Sequence, residues 1–212
     1  PGGLQTIADN LSQQPGIMVE LGQTAREIWR TGKHFTVYTD GSEYTARALC
    51  LATPVAVVAE LLQAEFPNLA DLLARIQTAM TETVGVAVHA EALRLPPLAG
   101  LIGRNEVFYS AVSRDIVPDP AYRGFTFHFR PGVLDEAGKW ARMGTVLGLP
   151  RTAFGPEYTV TKTNQLPALR VDHDTVIRAV DHALAGSHLA LTGNYFTGVA
   201  IEDCVTRSLG EF

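Results

Sequence analysis

Cysteine, basic residues and long apolar runs are all scarce in this 212-residue sequence, and each scarcity excludes something. Only Cys50 and Cys204 are present, far apart and without CxxC or Cys/His spacing, which removes a disulfide scaffold and a zinc site and leaves two free thiols expected to be buried. Lys and Arg total 17 against 22 Asp and Glu, for a net charge of −5, and no basic run stands out, so nucleic acid is not an expected partner. No stretch approaches the roughly 20 apolar residues that carry a helix across a bilayer. The dinucleotide-binding fingerprint G-x-G-x-x-G is missing too: Gly100 to Gly103 and Gly144 to Gly148 have the wrong spacing and follow no strand. Six histidines (His34, His89, His128, His173, His182, His188) show no metal-ligand spacing, and none is assigned catalysis.

What is present is a globular chain, 46% apolar and 18% charged, long enough for one large or two small domains. It opens at Pro1 without a methionine and reads as a piece of a longer polypeptide. Leu4, Ile7, Ala8 and Leu11 share a helical face that Pro15-Gly16 stops, and a short strand is expected at 17–21. A meander should follow, with strands at 24–29, 34–39 and 43–51 and a tight turn at Asp40-Gly41.

After Pro54 the period changes to 3.6. Val55, Val58, Leu61 and Leu62 form one stripe, and Leu69, Leu72, Leu73, Ile76 and Met80 another, so two helices are expected. Residues 83–90, 106–112 and 125–129 read as strands of a second antiparallel sheet, the last from Phe125, Phe127 and Phe129 alternating with polar residues. A helix over 135–147 is weakened by Gly138 and Gly144. A strand at 158–163 precedes a helix capped by Asp172 or Asp174, with Val176, Ile177, Val180 and Leu184 inward and Gly186 as its stop. The end reads as a strand, 188–191, the turn TGNYFTG, and a helix over 199–209.

That ending carries the chemistry. A helix start presents unpaired N–H groups and about half a positive charge, and Gly193 and Gly198 allow close backbone approach. The string Thr192 to Cys204, TGNYFTGVAIEDC, resembles the C-terminal flavin-binding motif of protoporphyrinogen oxidases. Other stretches agree in order: Gly2-Gly3-Leu4-Gln5-Thr6 is similar to the family's GG-L-Q segment, and Val19-Glu20-Leu21 through Ile28 to its adenine-side strand, with Ala25 where the family has Val. Asp40-Gly41 with Leu51-Ala52-Thr53-Pro54 is similar to its DG…L-A-T-P passage, and Leu166-Pro167 to His173 to its LP…GH passage.

The resemblance implies FAD as cofactor, held in part by Ala25, Ala52, Thr53, Gly193, Asn194, Gly198, Val199, Ala200 and Ile201. It implies an α+β / α/β fold, in which a partial FAD-binding domain (β-meander, last strand and C-terminal helix) is interrupted by the second half of a substrate domain with an antiparallel sheet and flanking helices. The boundaries follow as 1–62, 63–154 and 155–212, and the pyrophosphate-cradling Rossmann turn belongs to an N-terminal half of the same polypeptide that this sequence lacks.

The implied substrate is a tetrapyrrole, protoporphyrinogen IX, oxidised to protoporphyrin IX in haem or chlorophyll synthesis by hydride delivery to flavin. Leu101, Ile102, Tyr109, Ala111 and Val112 are the residues most similar to the family's substrate walls. Arg104, Arg114 and Arg123 are candidates for propionates. A coproporphyrinogen-oxidising relative, another flavin amine-oxidase or desaturase-like enzyme, and a non-catalytic tetrapyrrole-binding module are the alternatives. A cytoplasmic location, peripheral contact with an inner membrane, and a homo-oligomer are further expectations, and the fragment alone is expected to be inactive.

Overall fold

Period-two alternation early in the chain becomes a three-stranded antiparallel meander of β1 (Ala25–Thr31), β2 (His34–Thr39) and β3 (Glu43–Ala46) in a computed structural model that describes residues 3–116 and 118–211. Gly32, at φ 61°, makes the left-handed turn between β1 and β2 that a side chain would strain. At Asp40-Gly41 the chain also turns tightly, with the Thr39 N–H donating to the Ser42 carbonyl at 2.9 Å. Neither Asp40 nor Gly41 has positive φ, so this hairpin closes without the mirror-image geometry that Asp-Gly favours.

Two expectations fail here for the same reason. The strand expected over 43–51 is really two: β3 stops at Ala46, and after Arg47-Ala48 the chain enters β4 (Leu49–Leu51), which pairs in parallel with β10 (Leu189–Leu191). β3 is exposed throughout, whereas Leu51 is buried, so a solvated ribbon gives way to a core strand. Residues 17–21 form no strand, because they find no pairing partner among the described residues, and Met18 and Leu21 stand more than 80% exposed. The preceding α1 (Gln5–Ser12) buries nothing: its apolar side, Leu4, Ile7 and Leu11, is exposed.

The two apolar stripes become α2 (Val55–Leu62) and α3 (Pro67–Ala74), with Val58, Leu62 and Leu73 fully buried. Met80 is not on the second helix but in a strand, and it is exposed. With α5 (His173–Leu184), β10 and α6 (Ile201–Gly210), these elements make one compact unit from residues 3–76 and 169–211, whose core joins Ile28, Phe35, Leu62, Leu73, Val180 and Leu191. Asp172 sits at the start of α5, but its side chain accepts no capping bond.

Residues 77–168 form a second unit around one five-stranded sheet, in the order β6 (Gly100–Ile102), β7 (Phe108–Ser113), β8 (Tyr122–Phe129), β5 (Thr78–His89), β9 (Thr159–Pro167). The alternation puts Phe125, Phe127, Phe129, Val84, Val86 and Val88 on one buried face, where Trp140, Met143 and Leu147 of α4 (Glu136–Leu147) join them. The α4 helix forms despite its glycines. Asp135 Oδ1 accepts the Gly138 N–H at 2.7 Å, Gly148 ends the helix at φ 67°, and the Leu149 carbonyl occupies the space a Cβ on Gly144 would need. The units divide after residues 76 and 168, not 62 and 154, because α3 packs into the first core and the whole of β9 pairs with β5.

Candidate functional site

Leu49, Cys50 and Leu51 of β4 lie in register with Leu189, Ala190 and Leu191 of β10, and the Thr192 N–H extends the ladder to the Leu51 carbonyl at 3.0 Å. The two strands therefore end together. Ala52 and Thr53, both exposed, leave one of them, while Thr192, Gly193 and Asn194 leave the other. The carboxyl edge of parallel strands is where open α/β sheets hold their ligands.

The turn after β10 is anchored by side chains that its glycine spacing does not announce. Gly193 has φ 149°, and a Cβ there would lie 2.7 Å from Cε1 of Tyr195. Tyr195 and Phe196 drop into the core with ring centroids 4.7 Å apart. Buried His173 donates from Nε2 to the Phe196 carbonyl at 2.7 Å, and the Thr192 and Ser208 hydroxyls are bonded at 2.7 Å. The Arg207 guanidinium lies 3.7 Å over the Phe196 ring, gives its Nε–H to the Leu191 carbonyl at 3.2 Å, and pairs with Asp181 at 2.9 Å and with Glu211. The Tyr195 hydroxyl is buried without a partner among the described residues, and burial pushes its pKa well above the ordinary phenol value.

Both glycines thus make room for the chain's own groups. A Cβ on Gly198 would collide with the Asp203 carboxylate, whose Oδ2 accepts the Ala200 N–H at 3.1 Å. The helix begins at Ile201, not Val199, and carries Glu202 and Asp203 in its first turn. Those carboxylates already answer the positive end of the helix, so this start suits a neutral polar edge better than a phosphate. Val199 and Ile201 are both more than half exposed beside it.

The structure brings Ala52, Thr53, Gly193 and Asn194 to one edge, and the turn leads on to Gly198, Val199, Ala200 and Ile201. Ala25 begins β1 in the separate meander and packs against the core. Among the expected substrate residues, Ala111 is fully buried and its neighbour across the ladder, Leu101, packs against the same core, so both face inward. Ile102, Tyr109 and Val112 are exposed.

Arg123 is not available to a ligand carboxylate. It pairs with Asp115 at 2.6 Å and donates to the Leu95 and Pro96 carbonyls. Arg104 and Arg114 are exposed, with the Arg114 stem lying over Gly124. His128 Nδ1 is 3.1 Å from the Thr83 hydroxyl, and burial, with Arg114, holds its pKa below the ordinary value. Cys50 is exposed and Cys204 half-buried, against the expectation of two buried thiols. A cavity of about 520 Å³ in the first unit, bordered by Leu49, His188, Asp181 and Arg207, lies at the amino ends of β4 and β10, away from the carboxyl edge. Among the described residues no helix is long and apolar enough to cross a membrane.

No family model and no curated protein sequence matches the chain. Solved structures do. A protein from Exiguobacterium sp. 255-15, provisionally named a protoporphyrinogen oxidase, superposes with a TM-score of 0.76 at 19% identity over 97% of this chain and 49% of its own. A putrescine oxidase redesigned in cofactor binding gives 0.71 at 14% identity, over 99% and 51%. A fatty acid isomerase from P. acnes that produces CLA gives 0.64 at 11% identity, over 97% and 51%. The chain therefore shares the α+β fold of about half of each of these structures, whose names agree with the resemblance to protoporphyrinogen oxidases and their relatives, and it spans about half their length.

Proposed function

We propose that this chain is the C-terminal half of an FAD-dependent oxidoreductase that converts protoporphyrinogen IX to protoporphyrin IX. The observation that carries the reading is the carboxyl edge of β4 and β10, where the stretches resembling two flavin-binding passages of the family, Leu51 to Pro54 and Thr192 to Cys204, come side by side. The similarity of fold to an oxidase provisionally named for this substrate supports it.

The residues present fit one part of the cofactor. Exposed Ala52, Thr53, Val199 and Ile201 with half-buried Gly193 and Asn194 offer a neutral, largely apolar rim that suits the edge of a flat ring. The spaces at Gly193 and Gly198 are filled by Tyr195 and Asp203, so the pyrophosphate belongs to the remaining half of the polypeptide. Bound flavin supplies the hydride chemistry. This chain contributes the backbone edge, its orientation and the exclusion of water by the buried Tyr195-Phe196 pair. Exposed Ile102, Tyr109 and Val112 remain the proposed substrate wall, a membrane-peripheral setting remains a proposal with it, and Leu101 and Ala111 support that wall from inside.

The test is flavin content and porphyrin fluorescence in the product of the whole reading frame. Purified complete protein is expected to be yellow with stoichiometric FAD and to generate porphyrin from porphyrinogen, while the 212-residue chain is colourless and inactive. A flavin-free complete protein sinks the cofactor reading. A yellow protein that oxidises an amine and leaves porphyrinogen untouched sinks the substrate, an outcome to which the putrescine oxidase fold gives weight.

A further inference from the structure

Each strand of the five-stranded sheet turns alternate residues toward the aromatic core and α4 and the rest away from both. The register identifies the outward set: Ser110 of β7 stands opposite His128 of β8, His128 opposite Thr83 of β5, and Thr83 opposite Lys162 of β9. Ile102 and Val112, in the proposed substrate wall, share that face. Charge separates the two sides. The strands hold one carboxylate, Glu82, which alternates with the outward residues and pairs with Lys139 of α4. The outward charges are cations: Lys162, Arg114 one residue past β7, and Arg130 one residue past β8, all exposed. In a chain of net charge −5, that is a local reversal of sign.

Small residues keep the middle of this face low. Across the β5–β8 ladder Gly85 stands opposite Thr126 and Gly124 opposite Ala87, and a Cβ on Gly85 would meet nothing nearer than 3.8 Å. Gly124 serves Arg114 instead, since a Cβ there would come 3.0 Å from the Arg114 Cγ, and the arginine stem lies against the sheet. A row of hydrogen bonds crosses the same face. Asn164 donates from Nδ2 to the Thr83 hydroxyl at 2.9 Å, and that hydroxyl donates its own proton to Nδ1 of His128, 3.1 Å away. Burial, with Arg114, holds the His128 pKa below the ordinary value, and a neutral ring that accepts at Nδ1 carries its N–H at Nε2. That N–H has no partner among the described residues.

We propose that this face selects its substrate by charge, accepting a broad, flat molecule with carboxylates on its rim and turning away one that carries ammonium groups. Arg114 and Lys162 pair with the carboxylates, and His128 donates to the bound molecule from Nε2. A guanidinium matches a carboxylate with two parallel hydrogen bonds. Arg114 stands at the end of β7 and Lys162 on β9, three strand spacings or about 14 Å apart, so the carboxylates they hold belong to a wide molecule and not to a small acid. An ammonium group would meet three cations and no strand carboxylate. The proposal rests on the proposed function for the position of the substrate at Ile102 and Val112, and it makes Arg114, Lys162 and His128 the residues that decide between an acid and an amine.

Two water-soluble porphyrins of one flat core and opposite charge, a tetra(carboxyphenyl)porphyrin and a tetra(trimethylammoniophenyl)porphyrin, test it by Soret-band titration. The 212-residue chain is expected to bind the tetraanion at least about tenfold more tightly than the tetracation, against the sign of its own net charge, and the complete polypeptide to keep that preference. Added salt should weaken the tetraanion. Arg114→Glu and Lys162→Glu should each weaken it about tenfold, and His128→Phe about fivefold, with most of that loss restored in His128→Gln. Lys33→Glu, the same charge change at an exposed position of the other unit, should leave it unchanged. A preference for the tetracation, or an equal loss in Lys33→Glu, overturns the proposal. So does tighter binding of a single-stranded RNA that the same variants abolish. Flavin content and turnover report separately: a yellow complete protein that generates porphyrin and is indifferent to Arg114→Glu and Lys162→Glu, in KM and in titration, keeps the proposed function and sinks the charge selection, whereas a colourless one that prefers the tetraanion does the reverse.

Discussion

The two compact units of this chain are finished to different degrees. Residues 77–168 pack a five-stranded sheet over their own aromatic core and pair some of their charges internally, Arg123 with Asp115, Lys139 with Glu82 and Arg142 with Glu106. The unit of 3–76 with 169–211 has a buried core of its own, yet it leaves a helix with no buried residue, an exposed apolar segment outside any strand and a sheet of two parallel strands. Exposed apolar residues occur in both, but in the second unit they are scattered, whereas Leu4, Ile7, Leu11, Ile17, Met18, Val19 and Leu21 follow one another in the first. A run of that kind marks an interaction surface.

That contrast can be broken by experiment. The largest expected effect is in the finished unit: Phe127→Ala, at a fully buried position, should cost about 4 kcal/mol and lower one thermal transition of the chain in calorimetry while leaving the other in place. A single transition that moves as a whole would show that the units do not melt separately. Next, Asp115→Asn should cost about 2 kcal/mol, because it removes the counter-charge of the Arg123 guanidinium, whose side chain is 12% exposed, while the Leu95 and Pro96 carbonyls still accept from it. Arg123 also holds the Asp115 carboxyl below the ordinary carboxylate range. The stabilisation is therefore present above the ordinary aspartate pKa and lost as pH falls through the depressed one, so urea midpoints of wild type and variant should converge in acid.

The smallest effect has the opposite sign. Tyr195→Phe removes a buried hydroxyl that bonds to nothing among the described residues and should stabilise the 212-residue chain by about 1 kcal/mol in denaturant titration. A loss of stability would mean that the hydroxyl has a partner.

Local periodicity was legible in the sequence wherever the core was local. Val55, Val58, Leu61 and Leu62 declared a helix, and Phe125, Phe127 and Phe129 a half-buried strand, because burial alone spaces them. The split of 43–51 was not legible. Cys50 pairs with Ala190, a partner remote in sequence, and nothing in a run of β-forming residues says which sheet it joins. Residues 17–21 have strand composition but no partner among the described residues, and composition cannot supply one. At the site, the glycines of TGNYFTG were visible and their purpose was not: the groups filling the space beside them, Tyr195 and Asp203, sit inside the same motif. His173 and Arg207 come from other elements, and only folding brings them to the turn.

The turn after β10 is held by the Tyr195 ring under Gly193, the His173 bond to Phe196, the Thr192–Ser208 hydroxyl pair and the guanidinium stacked on Phe196. A loop so fixed has little conformational freedom left to surrender when a ligand arrives. A ligand at the proposed rim of Gly193 and Asn194 would meet a surface with little ordering left to undergo, and more of the contact energy there would be retained as affinity.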